Sequence, residues 1–275
     1  MKLKMAGENE ARYSQPPVID SNRPLALFDL DKTLRPNDLM NHTNFSLIKT
    51  LLRKGSGIRT LLKHLFAFSG HNMAERLHHA AANLLEGRHV EEMNELHQSF
   101  IQHIHKHEKL WFRGTVELLR HLTQRDIQIL IVTGSPQEQT DLCIATLKTE
   151  LDTSNITVCG SRYAVENERY TGEVEHLNAT AAGKKRILDA HIPQETPVIG
   201  CAGNDIADLP LFQRVPPHGT RIAVRGRTRL RKRLQQEGYS FVYSPEDLEH
   251  APHSAVLEVS TQLEHTLHPL LWRAE

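Results

Sequence analysis

Apolar residues along the chain fall into two patterns, short uninterrupted runs and longer stretches with helical spacing. The short runs are bounded by proline, glycine or polar residues, which is typical of buried strands in a parallel sheet. We predict such strands at residues 25–28, 127–132, 156–158, 197–202, 221–224 and 241–243. The pattern therefore predicts a core of the α/β class.

A long insertion follows the first predicted strand. About ninety residues separate Thr33 from the strand near Ile127, which is too many for one crossover helix. Apolar residues recur there at helical spacing in four stretches, near residues 39–52, 58–66, 73–85 and 90–104. We predict a small all-helical cap over residues 36–110, inserted into a core that comprises residues 24–35 and 111–245.

The two ends of the chain differ from this core. Residues 1–23 are rich in charged and polar residues and contain Pro16 and Pro17, so we predict a disordered or strap-like tail. Residues 246–275 carry apolar side chains at helical spacing. They are predicted to form an amphipathic helix that docks on the core or on a partner.

Composition narrows the class of protein. Lys plus Arg and Asp plus Glu number 33 each, so no electrostatic case exists for a nucleic acid or a membrane surface, and a small-molecule substrate is favoured. Three cysteines are an odd number without metal-type spacing, which indicates reduced core residues of a cytoplasmic protein. No apolar run has the length of a signal-peptide core or a membrane span. The oligomeric state stays open.

Two carboxylates one residue apart, Asp29 and Asp31, follow the first apolar run. Ligands of parallel sheets bind beyond the carboxyl ends of the strands, so the pair lies where chemistry is expected. One isolated aspartate at a strand end more often caps a turn. Four later segments, in order along the chain, favour a functional interpretation of both.

The first of these segments, Thr133-Gly134-Ser135, follows the second predicted strand. Ser135 is predicted to cap a helix with Pro136 at its first position and Glu138 placed for a capping box. The start of such a helix would point free N–H groups at the carboxyl edge of the sheet, where they suit an anion.

A pair of lysines belongs to another segment. Lys184 shares a predicted helix face with Ile187 and Leu188, and this face packs on the sheet. A lysine on a packed face must find an anion. Lys185 is expected to reach solvent, although a shift of one residue would exchange the two roles.

The remaining segments are a hairpin-like stretch at residues 169–174 and a polar loop after the strand at 197–202. Gly203 lets the backbone turn close to the predicted site. It is followed by three polar candidates, Asn204, Asp205 and Asp208.

Taken in this order, the segments resemble those of the haloacid dehalogenase superfamily of phosphohydrolases, and more narrowly its phosphoserine-phosphatase-like branch. The resemblance covers about residues 24–245. It implies a doubly wound, Rossmann-like parallel sheet with an inserted helical cap. It also implies Mg²⁺-dependent hydrolysis of a small phosphate monoester through an aspartyl-phosphate, with a phosphorylated metabolite as the partner.

The resemblance assigns a role to each candidate residue. Asp29 would be the nucleophile, and Asp31 the general acid and then the base, which excludes the dehalogenase chemistry of members that lack the second aspartate. Substrate and phosphate would be contacted by Thr133, Gly134, Lys184 and Asp38. The metal would be held by Asp29, Asp31, Asn204 and Asp208, with Asp31 using its backbone carbonyl.

One position departs from the family pattern, which places an acidic residue directly after the glycine where this chain has Asn204. An amide oxygen can coordinate Mg²⁺ but brings no charge. Either metal affinity is lower, or Asp205 and Asp208 supply the missing charge. Whether Asn204 or Asp205 completes the metal site is left open.

Two features of the predicted cap also leave alternatives. Asp38 stands where the resembled branch keeps an acidic residue that faces the amino group of the substrate, yet it could equally cap the first cap helix. The cap is also rich in histidine, including His103 and His107 at helical metal-pair spacing without a third ligand. We expect surface histidines on solvated helix faces rather than a metal site.

The nature of the substrate and of the phosphate acceptor is not fixed by these patterns. Phosphoserine is the named substrate of the resembled branch, while any small phosphate monoester is admissible. A phosphotransferase would use the same aspartyl-phosphate with an alcohol in place of water. A catalytically decayed binding or regulatory protein is suggested by Asn204 and opposed by the intact remainder of the set.

Overall fold

The structure is a computed structural model, and it describes residues 19–39, 73–107, 110–224 and 228–244. Three predictions lie outside these residues. They concern the tail before residue 19, the cap helices near 39–52 and 58–66, and the C-terminal helix at 246–275.

The centre of the molecule is a seven-stranded sheet in the order β4-β3-β2-β1-β5-β6-β7. Every neighbouring pair is parallel except β3 with β4, which form an antiparallel hairpin at one edge. The strands are β1 (Leu25–Phe28), β2 (Gln128–Pro136), β3 (Ile156–Glu166), β4 (Arg169–His176), β5 (Val198–Gly203), β6 (Thr220–Val224) and β7 (Val242–Ser244). The predicted α/β class and parallel sheet are confirmed, and β3 is longer than expected because it extends into the hairpin.

Strand β1 lies at the point where the strand order reverses. The chain runs from β1 to β2 and β3 on one side, then returns to place β5, β6 and β7 on the other. Phe28 pairs with Ile131 of β2 and with Ala202 of β5, so the segments that follow these three strands emerge side by side. A crevice at such a reversal is the usual ligand site of a doubly wound sheet.

Helices cover both faces of the sheet. This is required because successive side chains of β1 point to opposite faces and all four are apolar. Ala26 and Phe28 belong to one apolar cluster, and Leu25 and Leu27 belong to the cluster on the opposite face. The helices are α1 (Met73–Leu85), α2 (Val90–His107), α3 (Arg113–Gln124), α4 (Gln137–Leu147), α5 (Ala181–His191), α6 (Leu209–Arg214) and α7 (Thr228–Gln236). A 3-10 turn, Ile206–Asp208, precedes α6.

The inserted helices α1 and α2 do not form a core of their own within the described residues. Ala81 and Ala82 of α1 pack against Tyr163 and Tyr170 of the β3–β4 hairpin. Further along, α2 contributes Ile101 and Ile104 to the cluster that also holds Phe28 of the central strand. The predicted helices at 73–85 and 90–104 are confirmed, and the division into core and cap stays a prediction.

Several smaller expectations can also be compared with the structure. Residues 19–23 lie along the core, where the backbone N–H of Asp20 donates to Gln128 Oε1 at 2.9 Å and the Gln128 amide donates back to the Asp20 carbonyl at 2.8 Å. All three cysteines are free and buried, as predicted. No helix among the described residues is long and apolar enough to cross a bilayer.

Candidate active site

A cavity of about 270 Å³ opens at the carboxyl edge of the sheet, beyond β1, β2 and β5. The cavity is lined by all eight residues to which the resemblance assigns a role, which are Asp29, Asp31, Asp38, Thr133, Gly134, Lys184, Asn204 and Asp208. The lining also includes Lys32, Ala74, Leu77, His78, Ser135, Ala179, Asp205 and Ala207. Three of these, Ala74, Leu77 and His78, come from the inserted helix α1.

Asp29 lies at the floor of the cavity, directly after β1. Thr33 donates its hydroxyl to Asp29 Oδ2 at 2.9 Å, and Lys184 donates from Nζ to Asp29 Oδ1 at 2.6 Å. Burial, together with the negative charge of Asp208, raises the pKa of Asp29, and the Lys184 ammonium opposes that rise. One oxygen of Asp29 is thus held by a hydroxyl and the other by a cation, which fixes the direction of the carboxylate.

Lys184 connects two carboxylates that are far apart in sequence. Its Nζ lies 2.7 Å from Asp208 Oδ1 as well as 2.6 Å from Asp29 Oδ1, and its side chain is buried. Burial lowers the pKa of Lys184, but Asp208 and Asp29 raise it by more, so the ammonium stays protonated. Lys185 is exposed and pairs with Asp189 on its own helix, so the two lysines are arranged as predicted.

Asp31 is held from both sides of the cavity. Its Oδ1 accepts the backbone N–H of Leu39 at 2.8 Å and Nη1 of Arg35 at 3.3 Å. Its Oδ2 accepts the Ser135 hydroxyl at 2.5 Å and the Thr133 hydroxyl at 3.4 Å. Burial raises the pKa of Asp31, and the Arg35 guanidinium opposes this effect.

The predicted role of Ser135 as a helix cap is wrong. Helix α4 begins at Gln137, Pro136 occupies the N-cap position, and no side-chain cap bond is formed there. Ser135 remains in β2, where its hydroxyl donates to the partly buried Asp31 carboxylate. A short hydrogen bond to a charged group is stronger than a bond to a backbone amide, which explains why this contact is preferred.

Arg35 is a functional candidate that the sequence reasoning missed. Its side chain is fully buried, and Nη1 pairs with Asp31. Nε and Nη2 have no hydrogen-bond partner within the described residues. Because a buried guanidinium is costly unless it is paired, the ion pair with Asp31 offsets part of that cost. Arginine four residues after an aspartate is a common surface pair, so the sequence offered no distinct signal.

The loop after β5 is organised by the Asp208 carboxylate. Its Oδ2 accepts the backbone N–H groups of Asn204 and Asp205, both at 2.8 Å. A Cβ atom on Gly203 would lie 2.6 Å from the Cβ of Asp208, so this close turn requires glycine. The Asp205 side chain accepts from Ala207 and caps the 3-10 turn.

Asn204 reaches across to the first motif. Its Nδ2 donates to the backbone carbonyl of Asp31 at 2.6 Å, so two groups that the resemblance assigns to the metal are neighbours. Asp29, the Asp31 carbonyl and the Asn204 side chain each offer an oxygen atom as a ligand. Oxygen is the ligand type that Mg²⁺ prefers. Three carboxylates, of which Asp29 and Asp208 are buried and Asp31 is partly buried, lie near two cations, which also favours an added cation. The residues present therefore fit a hard divalent ion.

Asp38 and the histidines complete the description. Asp38 lines the cavity, and its Oδ2 lies 3.5 Å from Nζ of Lys32. The expectation of surface histidines is wrong at two positions, because His78 and His97 are buried. The rings of His103 and His107 contact each other at a tilt of 46°. No group of three metal-binding side chains from His, Cys, Asp and Glu occurs among the described residues.

Comparison with known families now identifies the class of protein. A family model described as haloacid dehalogenase-like hydrolase matches residues 26–213, which span β1 to α6. The chain therefore belongs to the haloacid dehalogenase-like hydrolases, and the resemblance noted in the sequence is confirmed. No protein with a curated description matches the chain.

Solved structures share the fold at low sequence identity. A protein of unknown function from Bordetella pertussis Tohama I superposes with a TM-score of 0.61 at 20% identity, covering 82% of this chain and 99% of that one. A substrate-bound phosphoserine phosphatase complex gives 0.52 at 18% identity, covering 86% and 97%. Cytosolic 5'-nucleotidase IIIB bound to cytidine gives 0.53 at 10% identity, covering 91% and 88%. The chain thus has the fold of phosphoserine phosphatases and of a nucleotidase.

Proposed function

We propose that the protein is a Mg²⁺-dependent phosphatase that hydrolyses a small phosphate monoester through an aspartyl-phosphate on Asp29. The observation that carries this proposal is the buried Lys184, whose Nζ contacts Asp29 at 2.6 Å and Asp208 at 2.7 Å on the floor of the cavity. A protonated amine beside a carboxylate nucleophile suits the attack of one anion on another.

Asp29 is oriented for attack by its two hydrogen bonds. Thr33 holds Oδ2 and Lys184 holds Oδ1, so the carboxylate presents a fixed direction to a phosphorus atom in the cavity. The Lys184 ammonium and the polar groups of Thr133 and Gly134 would bind the phosphate oxygens. Preorganised positive groups of this kind lower the barrier because no solvent rearrangement is needed during the reaction.

Asp31 would handle the protons. Its pKa is raised, which favours a carboxyl group that can protonate the leaving oxygen in the first half-reaction. The resulting carboxylate can then remove a proton from water, which attacks the phosphorus of the aspartyl-phosphate and frees Asp29. Ser135 and Thr133 on one oxygen, with Leu39 on the other, hold Asp31 in place.

Mg²⁺ would be held by Asp29, the Asp31 carbonyl and Asn204, with Asp208 as the fourth proposed member of the set. When bound, it supplies positive charge that offsets the phosphate dianion and the excess of carboxylates. Asp208 accepts a hydrogen bond from Lys184 on one oxygen and from two backbone N–H groups on the other. It would therefore hold the loop in place and also add negative charge near the metal.

The proposal is tested by phosphate release from an aryl phosphate in the presence of Mg²⁺. Asp29→Asn removes the nucleophile and should lower kcat by at least about 10⁴-fold. Asp189→Asn, on an exposed aspartate of α5, is the matched control and should keep full activity. Full activity of Asp29→Asn, or of the wild type in excess chelator, would exclude the proposed function.

The intermediate is tested separately with Asp31→Asn. Attack by Asp29 on an ester with a good leaving group needs no proton donor, whereas hydrolysis of the aspartyl-phosphate needs the base. Acid quenching of this variant should therefore trap phosphate on the protein. The absence of covalent phosphate would show that Asp31 is not the base for hydrolysis.

Release of inorganic phosphate by the wild type, with no acceptor alcohol added, separates a phosphatase from a phosphotransferase.

A further inference from the structure

The wall of the cavity formed by the insertion differs from its catalytic floor. Helix α1 contributes Ala74, Leu77 and His78, and the turn after Asp31 contributes Lys32, which faces Asp38. A phosphate bound by the floor would direct its alcohol portion away from Lys184 and toward this wall. The wall therefore meets the part of the substrate that distinguishes one phosphate monoester from another.

His78 is the polar group of helix α1 on this wall. The residue is 1% exposed, yet it lines the cavity. Its Nδ1 lies 3.1 Å from the hydroxyl of Tyr163 in the β3–β4 hairpin. Nε2 makes no hydrogen bond within the part of the chain that the structure describes, so it is the ring nitrogen left for a molecule in the cavity.

Both members of this pair are uncharged near neutral pH. Burial lowers the pKa of His78 to about 4, although the nearby Asp38 charge acts in the opposite direction. Burial, with a contribution from Glu138, raises the pKa of Tyr163. A neutral imidazole whose Nδ1 is occupied offers one hydrogen-bonding position, as donor or acceptor according to its tautomer.

The only charged side chains described on this wall form a pair of opposite sign. Lys32 Nζ lies 3.5 Å from Asp38 Oδ2. Lys32 occupies the left-handed region at φ 63°, which is uncommon for a residue with a side chain and fixes the direction of the turn. An ammonium group on the substrate would have to approach Asp38 beside the Lys32 ammonium, which repels it.

We propose that the leaving group is a neutral alcohol that carries a further hydroxyl, and that His78 Nε2 binds this hydroxyl and so determines specificity. A hydroxyl can donate or accept, so it satisfies either tautomer of His78. The inference rests on the proposed phosphatase function and names the substrate class of the same site as hydroxyl-bearing alkyl phosphates. Amino-bearing esters such as phosphoserine are disfavoured.

Three matched esters test the proposal with the full-length protein and Mg²⁺, namely ethyl, 2-hydroxyethyl and 2-aminoethyl phosphate. One hydrogen bond in a buried site corresponds to about a tenfold difference in kcat/KM, so 2-hydroxyethyl phosphate should exceed both others by about that factor. His78→Ala should remove the advantage over ethyl phosphate.

Two further variants separate specificity from a general loss of structure. His79→Ala, the neighbouring histidine on α1, does not line the cavity and should keep the wild-type preference. Lys32→Met removes the cation beside Asp38 and should raise the use of 2-aminoethyl phosphate relative to ethyl phosphate.

The outcomes distinguish this inference from the function on which it rests. Equal use of ethyl and 2-hydroxyethyl phosphate by the wild type would overturn the role of His78, and so would an equal loss on all three esters in His78→Ala. A preference for 2-aminoethyl phosphate would overturn the neutral-alcohol class. Failure to release phosphate from any ester, including an aryl phosphate, would overturn the phosphatase function itself and the inference with it.

Discussion

The floor of the cavity and the wall above it are built on different physical principles. On the floor, Asp29, Lys184 and Asp208 form a buried chain of charges joined at 2.6 and 2.7 Å. On the wall, helix α1 presents two apolar side chains and the uncharged His78, which is held by the Tyr163 hydroxyl. The floor carries charges that compensate one another, and the wall avoids unpaired charge.

Under the proposed function, this difference separates the residues that carry out the chemistry from those that select the substrate. A network of buried charges tolerates little change, because removing one member leaves the others uncompensated. A wall of apolar and neutral polar groups can change its shape or its single hydrogen-bonding position at lower cost. The wall is therefore the place where a different alcohol can be accommodated without disturbing the floor.

The largest expected effect comes from removing the cation of the floor. Lys184→Met leaves the buried Asp29 and Asp208 without a counter-ion, which should lower the free energy of unfolding by about 3–5 kcal/mol and abolish phosphate release. Lys185→Met removes an exposed pair and should change the stability by less than about 0.5 kcal/mol. Urea unfolding of both variants measures the contrast. Equal stability losses in the two would show that the floor is not a compensated charge network.

The next largest effect is expected from acid, which should lower the stability of the protein through a buried, uncharged histidine. Burial lowers the pKa of His97, on α2, to about 4, so below pH 6.5 the unfolded chain binds a proton that the folded protein does not. Stability is then lost as the pH falls from about 6.5 toward about 4. Between pH 7 and pH 5 this residue should account for about 2 kcal/mol.

His97→Gln tests that contribution, because an amide does not titrate in this range. The variant should lose about 2 kcal/mol less than the wild type between pH 7 and pH 5, measured by urea unfolding without added metal. His105→Gln, at an exposed position of the same helix, should behave as the wild type does. A loss in His97→Gln as large as in the wild type would show that His97 is already protonated in the folded protein or is not the source.

A smaller effect is expected from Ser135, whose hydroxyl contacts Asp31. Ser135→Ala removes the hydroxyl that donates to Asp31 Oδ2 at 2.5 Å and should lower kcat by about tenfold. Ser135→Thr keeps the hydroxyl and should restore most of the rate. If alanine and threonine at this position give the same kcat, the hydroxyl does not position Asp31 for proton transfer.

A change of similar size, in the Mg²⁺ requirement rather than in kcat, is expected at the departure from the family pattern. Asn204→Asp adds a carboxylate beside the Asp31 carbonyl and should lower the Mg²⁺ concentration for half-maximal activity by about tenfold. Calorimetric titration with Mg²⁺ should show the same tightening, and Asp208→Asn should act in the opposite direction. An unchanged Mg²⁺ dependence in Asn204→Asp, together with its loss in Asp205→Asn, would place the metal on Asp205.

The spacing of residues close together in the sequence predicted the strands and the buried face of the helix that carries Lys184. The apolar neighbours of Lys184 at three and four residues gave its helix face, and the structure buries it while exposing Lys185. Short apolar runs predicted the strands, since each run in a parallel sheet must bury both faces. The carboxyl ends of β1, β2 and β5 and the segments that follow them, together with helix α5, then bring all eight candidate residues to one cavity.

The features that were missed depend on contacts distant in sequence. Ser135 looked like a cap because local preference favours that role, and the contact that overrides it comes from Asp31, 104 positions earlier. Similarly, the hydrogen-bond partner of the buried His78 is Tyr163, 85 positions later. Histidine occurs on exposed and buried helix faces alike, so its neighbours along the chain do not report the partner that allows burial.

The position of β1 at the centre of the sheet also has a consequence for the order in which the molecule assembles. Lys184 lies 155 positions after Asp29, and Asn204 lies 173 positions after Asp31. Contacts of such separation form slowly, because a long loop must close before they add any stability. A chain that ends before residue 184 contains both aspartates of the first motif but no cation for Asp29. The buried ion pair therefore marks the completion of the core rather than its beginning.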